Sequence, residues 1–174
     1  FKASYKGYYT KDSTPASRAE VAKNLTWGMQ KTTDQAKAYE EATGEKVIFA
    51  TNGDYYNMQT LQPLGYLIME GNVVQVNNGG ARDPYFAVLK NGQFAIRDFG
   101  ADTNDVLEAI SGPFFLVRNG QNVMDKNNTD LSPRNSIGLK ADGSVVTMVV
   151  DGRQSPYSNG MTLYELAEMY VSEG

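Results

Sequence analysis

The chain has 174 residues, with 20 acidic and 16 basic side chains, so its net charge is 16 − 20 = −4. It contains no cysteine and no histidine, which excludes disulfides, thiolate or imidazole zinc sites, and Ser-His-Asp or Cys-His catalysis. Acid–base chemistry falls to Asp, Glu, Tyr or Lys. The mild acidity argues against general nucleic-acid binding, and no apolar run is long enough to span a bilayer.

The chain opens Phe-Lys-Ala-Ser, without an initiator methionine, which reads as a processed or trimmed start. Weak alternation with aromatics at Phe1, Tyr5, Tyr8 and Tyr9 predicts an edge strand over Phe1–Thr10. Ser17 and Glu20 have capping-box spacing before a short helix that runs through Leu25. Thr32 or Thr33 then caps a helix over Asp34–Thr43, which Gly44 ends. Lys46–Thr51 follows as a short buried strand, and helix before apolar strand is an α/β signature. Its exit is Asn52-Gly53-Asp54-Tyr55-Tyr56-Asn57. Asn-Gly reads equally as a hairpin turn, or as part of a site where rings stack on a sugar and polar groups bond its hydroxyls.

Three hairpins are predicted next. The first pairs Tyr66–Met69 with Val73–Val76 around Glu70-Gly71-Asn72, and a polar tip, Asn77–Gly80, follows it. The second pairs Tyr85–Lys90 with Gln93–Arg97, and the third pairs Phe114–Arg118 with Gln121–Met124, each around Asn-Gly. Asp102-Thr103-Asn104-Asp105 offers oxygen ligands to a divalent cation such as calcium. It lacks the glycine and terminal glutamate of an EF-hand loop, and it also reads as the N-cap of a helix over Val106–Ile110. No cofactor is otherwise called for.

The last stretch organises the chain. Val145–Val150 is apolar almost throughout and reads as a central strand buried on both faces, after Ile137–Lys140 and an Asp142-Gly143 turn. It runs into Asp151-Gly152-Arg153-Gln154 at a strand's C-terminal end, where open α/β sheets place ligands. Thr162 and Glu165 form a capping box for a helix from Leu163 to Val171. Strand then crossover helix calls for a further strand. The fold class is α/β (α+β), a single domain over 1–174, with a central mixed sheet, flanking helices and several hairpins. The sheet is expected around Val47–Ala50, Ile137–Lys140 and Val145–Val150.

Several segments, in order, resemble the phosphodiester glycosidase family. They are Ala50–Tyr56, Pro63–Gly65 with Gly71, Ser111-Gly112 through Leu116-Val117 and Gly120, and Pro133–Gly138 with Asp142-Gly143. The last is Val149–Gln154 with Ser158–Leu163 and Glu165–Ala167. The resemblance implies a bacterial member, extracellular or at the cell surface, that cleaves a sugar from a phosphodiester. The substrate resembles an N-acetylglucosamine-1-phosphodiester or a cell-surface polysaccharide. The alternative is a non-catalytic module that binds cell-wall or exopolysaccharide glycans. The family continues into an Asp-Gly-Gly-Gly-Ser-Ser motif, and this sequence stops at Gly174 ahead of it. A C-terminal part of the same domain is therefore expected elsewhere, in this chain or as a separate one, and is expected to supply the strand beside Val145–Val150.

Such chemistry needs cations for phosphate and carboxylates near the sugar. Asp151 and Asp54 are the expected catalytic carboxylates. Arg134 and Arg153 are expected to hold phosphate, since Arg pairs bidentately with its oxygens. Asn52 is expected at sugar hydroxyls or in orienting the site, Tyr56 and Ser136 are expected to bind substrate, and Ser158 and Asn159 are expected to meet phosphate near a helix N-terminus that favours anions. Asn52, Asp54, Arg134, Asp151 and Arg153 are expected to converge on one cleft.

Overall fold

In the computed structural model, residues 1–76 and 83–174 are described, and the polar tip Asn77–Gly80 lies outside them. The chain forms two compact units, Phe1–Pro113 and Phe114–Gly174.

The first unit holds helices α1 (Pro15–Lys23) and α2 (Thr32–Thr43) and strands β1 (Leu67–Met69), β2 (Asn72–Gln75), β3 (Tyr85–Leu89), β4 (Phe94–Arg97) and β5 (Val106–Ser111). The sheet order is β2-β1-β5-β3-β4, and among the described residues its strands pair antiparallel. The α+β class and the hairpin plan hold. Glu70 and Gly71 both have positive φ, 51° and 77°, which is the backbone of a two-residue primed turn.

Four local expectations are corrected. Val106–Ile110 is not a helix but the middle strand of the sheet. Its apolar positions 106, 109 and 110 mimic a helical face, yet Phe86 and Leu67 both pair with Ile110, so β5 is bonded on two edges. Phe1–Thr10 makes no strand. It crosses one sheet face irregularly, with Ala3, Tyr8 and Tyr9 buried alongside Leu67 and Met69. α1 is capped by Thr14, with Ser17 completing the box, and α2 starts after Lys31 with no side-chain cap. Lys46–Thr51 is not a buried strand. Ile48 is 94% exposed and Phe49 54%, and an apolar run without a neighbouring edge to bond does not become a strand.

One face of the sheet carries a buried carboxylate. Glu108 on β5 is fully buried and accepts from Lys2 Nζ at 3.1 Å and from Ala3 N at 3.2 Å. A second ion pair ties α1 to the β1–β2 turn. Arg18 donates Nε and Nη2 to the two Glu70 oxygens at 2.8 and 2.7 Å and lies over the Tyr9 ring. Tyr8 Oη donates to Glu70 as well, at 2.9 Å.

The second unit holds β6 (Val117–Arg118), β7 (Gln121–Asn122), β8 (Arg134–Leu139), β9 (Val145–Val150) and helix α3 (Leu163–Glu173). β6 pairs with β7 and β8 with β9, both antiparallel. β9 is not buried on both faces. Thr147 and Val149 are exposed, and β8 is its one partner among the described residues. Residues 134, 136 and 138 share the face toward α3, where the Tyr170 ring fills the space a Cβ on Gly138 would need, 2.6 Å away. The predicted capping box is present: Thr162 Oγ1 accepts from Glu165 N at 3.1 Å, and Glu165 Oε2 accepts from Thr162 N at 3.0 Å.

Arg18→Ala leaves Glu70 half-buried without its cation and is expected to cost about 3 kcal/mol, read by urea denaturation. Arg18 holds the Glu70 carboxyl below its ordinary range. A depressed pKa contributes stability that is present above the ordinary glutamate range and is lost as pH falls through the folded value. The loss in Arg18→Ala is therefore expected to shrink in strong acid.

Candidate functional site

In the first unit, the expected site residues lie where β1 begins and β5 ends. Residues 55–64 double back, with Leu64 N donating to Tyr55 O at 2.9 Å and Asn57 N to Gln62 O at 2.8 Å. This return brings Gly65 onto Asp54. Asp54 Oδ2 accepts from Gly65 N at 2.6 Å, and Oδ1 accepts from Tyr55 N at 2.7 Å. Ser111 Oγ on β5 accepts from Tyr66 N at 2.7 Å. A Cβ on Gly65 would overlap the Ser111 side chain and sit 3.0 Å from Asp54 Oδ2. Burial pushes the Asp54 carboxyl up, the two backbone N–H groups pull it down, and the Asp83 carboxyl pushes it up again; the net direction is upward. Asn52, Tyr55 and Tyr56 are exposed, and Tyr56 reaches Met29 Sδ at 4.0 Å through its hydroxyl. Asn52-Gly53 makes no hairpin turn.

In the second unit, three backbone segments cross at Ser132. Met161 N donates to Ser132 O at 3.1 Å. Gly160, at φ 103°, lies so close that a Cβ there would be 2.5 Å from the Ser132 carbonyl, and one on Gly152 would be 2.6 Å from Pro133 N. The crossing gathers both arginines. Arg134 Nε donates to Met161 O at 2.9 Å, and its Nη2 donates to Asp130 O at 2.8 Å and Oδ2 at 3.0 Å. Ser132 Oγ donates to Asp130 Oδ2 at 3.2 Å and accepts from Arg153 Nη2 at 3.4 Å. Asp130 thus lays a carboxylate beside Arg134 and the Ser132 hydroxyl. Arg153 is exposed and has φ 57°, a region costly for a residue with a Cβ.

The neighbouring residues separate by role. Asp151 and Asn159 are exposed. Ser158 Oγ donates to Asp151 O at 2.6 Å and accepts from Gly160 N at 3.2 Å, so it shapes the loop. Ser136 faces α3, 3.0 Å from Tyr170 Oη. The α3 N-terminus is already capped by Glu165, which takes up donors that an incoming anion would use. Of the oxygen ligands offered to calcium, both Asp105 oxygens accept from Arg97 at 2.7 Å, and Asp102 Oδ1 accepts from Asn104 N at 3.0 Å. Among the described residues no group of three or more Asp or Glu gathers as metal ligands.

A family model described as phosphodiester glycosidase matches residues 45–174. The chain belongs to the phosphodiester glycosidase family. Among solved structures, the zebrafish N-acetylglucosamine-1-phosphodiester alpha-N-acetylglucosaminidase catalytic domain, auto-inhibited by its pro-peptide, superposes with a TM-score of 0.58. It is 26% identical, and the match covers 70% of this chain and 46% of that one. The cattle enzyme of the same name is 24% identical over 161 residues, which is 80% of this chain and 30% of that protein. The mouse enzyme is 22% identical over 141 residues, 68% of this chain and 27% of that protein. The SPbeta prophage-derived uncharacterized protein YomE of Bacillus subtilis (strain 168) is 24% identical over 188 residues, 95% of this chain and 29% of that protein. This phosphodiester glycosidase chain spans at most 30% of the length of these curated relatives.

Asp83, Asp130 and Ser132 were not anticipated from the sequence. Asp130 and Ser132 flank the Pro133-Arg134 motif, and that adjacency was the available signal; Asp83 offered none. Gly160→Ala in this family member is expected to cost about 2 kcal/mol or more in urea denaturation, because both the backbone angle and the Ser132 contact resist a Cβ.

Proposed function

We propose that the chain hydrolyses a sugar-1-phosphodiester at the bond between the anomeric carbon and the phosphate oxygen. The observation that carries this reading is the polar crossing at Ser132. Arg134, Arg153 and a hydroxyl meet there, and an oxyanion, the Asp130 carboxylate, already lies on Arg134 and Ser132. The same geometry suits a phosphate oxygen. Asp130 is then an internal competitor, with its side chain 65% exposed and free to turn to water.

Roles follow for the remaining groups. Arg153 takes the phosphate and stabilises the charge that grows there as the bond breaks. Asp151, two residues away, offsets the positive charge of an oxocarbenium-like sugar. In the first unit, taken by itself, the Asp54 carboxyl has a raised proton affinity, the property of a general base. In the first unit the exposed rings of Tyr55 and Tyr56 and the side chain of Asn52 are read as sugar contacts; in the second, Asn159 is read as a phosphate contact. The substrate class is an N-acetylglucosamine-1-phosphodiester or a cell-surface glycan phosphodiester, met outside the cell. A divalent cation such as calcium is not part of this scheme.

Binding of inorganic phosphate, followed by calorimetry, tests the crossing. Arg153→Ala is expected to weaken it at least ~10-fold, the worth of a charge-assisted hydrogen bond. Asp130→Ala is expected to strengthen it. Unchanged binding in both removes phosphate from Ser132. Asp151→Asn is expected to lower turnover of a sugar-1-phosphodiester ~100-fold with little change in KM. Retained glycan binding with no turnover in the wild type instead marks a non-catalytic glycan-binding module.

A further inference from the structure

The start of β1 and the end of β5 are joined by a rung that is half side chain. Leu67 stands opposite Ile110 in the regular ladder. One residue further, Ser111 N donates to Tyr66 O at 3.1 Å, as antiparallel pairing requires. The return bond differs. Tyr66 N donates to the Ser111 hydroxyl at 2.7 Å, where a backbone carbonyl would ordinarily accept. Ser111 is 5% exposed, so this bond lies inside the sheet end.

The same side chain abuts the preceding residue. A Cβ on Gly65 would stand 2.2 Å from Ser111 Cβ, 2.4 Å from Ser111 Oγ and 3.0 Å from Asp54 Oδ2. Gly65 is therefore wedged between the serine and the aspartate, and its N–H donates to Asp54 Oδ2 at 2.6 Å. We propose that Ser111 is a positioning residue for Asp54: its hydroxyl grips the Tyr66 N–H, its Cβ abuts Gly65, and together they keep the Gly65 N–H aimed at the Asp54 carboxylate. For its catalytic meaning this rests on the reading of Asp54 as a general base.

The consequence is chemical as well as geometric. A carboxylate that accepts from an N–H group is favoured in its charged form. The Gly65 bond pulls the Asp54 carboxyl down against the upward push of burial. Without the Ser111 grip, Gly65 is free to turn away, and Asp54 then holds its proton more tightly. Only the ionised carboxyl can accept a proton, so an activity that needs it sets in at higher pH.

The test is a carbon-13 NMR titration of aspartate carboxyls in the full protein, with Asp54→Asn assigning the Asp54 signal. Ser111→Ala keeps the Cβ and removes the acceptor. In it the Asp54 midpoint is expected to rise by about one unit, a tenfold gain in proton affinity. The Gly65 amide proton is expected to move upfield as its bond weakens. Asp142, which accepts from Ser144 N at 2.8 Å in the second unit, is the control and is expected to stay. The acidic limb of kcat/KM on a sugar-1-phosphodiester is expected to move to higher pH, with KM little altered. Ser111→Thr retains the hydroxyl and is expected to return midpoint and limb toward the wild-type values. Lost stability with the Asp54 midpoint and the Gly65 amide unchanged overturns the proposal and leaves Ser111 a structural residue. If Ser111→Ala fails to fold, the wild type decides. There the Gly65 amide shift is expected to titrate with the Asp54 midpoint, and the Tyr66 amide to exchange slowly with deuterium oxide. A Gly65 shift that ignores Asp54, or a freely exchanging Tyr66 amide, overturns it. If the midpoint moves but the wild type cleaves no sugar-1-phosphodiester, the positioning role stands and the hydrolase reading falls. If cleavage occurs and the midpoint does not move, the hydrolase reading stands alone.

Discussion

The approach of Gly65 to Ser111 is the contact on which the placement of Asp54 depends. No side chain separates the start of β1 from the end of β5 at that point, so Tyr66 N reaches the Ser111 hydroxyl and Gly65 N reaches Asp54. Two backbone N–H groups fix the Asp54 carboxylate while burial raises its proton affinity. Position and basicity thus come from separate causes, packing for one and desolvation for the other. The sheet supplies the rigidity. β5 is bonded on both edges, and the Arg18–Glu70 pair and the buried Glu108 anchor the helix and the N-terminal segment to it.

The second unit solves a similar problem with glycine and a hydroxyl. Gly152 and Gly160 let three chain segments meet at Ser132, and Arg134 locks the crossing by bonding to both Met161 and Asp130. One arginine is therefore largely architectural, with its side chain 11% exposed, while Arg153 is held out on a strained backbone.

What was legible in the sequence followed local chemistry. The β1–β2, β3–β4, β6–β7 and β8–β9 hairpins were marked by their turn residues, and the α3 capping box by Thr162 and Glu165. What failed depended on distant partners. Val106–Ser111 carries helical spacing and became a strand because β1 and β3 bond it from both sides. Lys46–Thr51 and Val145–Val150 looked like buried strands because apolar runs do not say which edge they meet. At the candidate site, Asp54, Arg134 and Arg153 were visible through their motifs. Asp83 was not, since its burial arises from the sheet end around it, and Ser136 faced α3 because strand register decides the face.

The central claim is that the bond broken is the one between sugar carbon and oxygen, not phosphorus and oxygen. Hydrolysis of an N-acetylglucosamine-1-phosphodiester in oxygen-18 water, followed by mass spectrometry of both products, tests it most directly. The account predicts the heavy oxygen on the sugar's anomeric carbon and an unlabelled phosphate monoester. Label in the phosphate would contradict it.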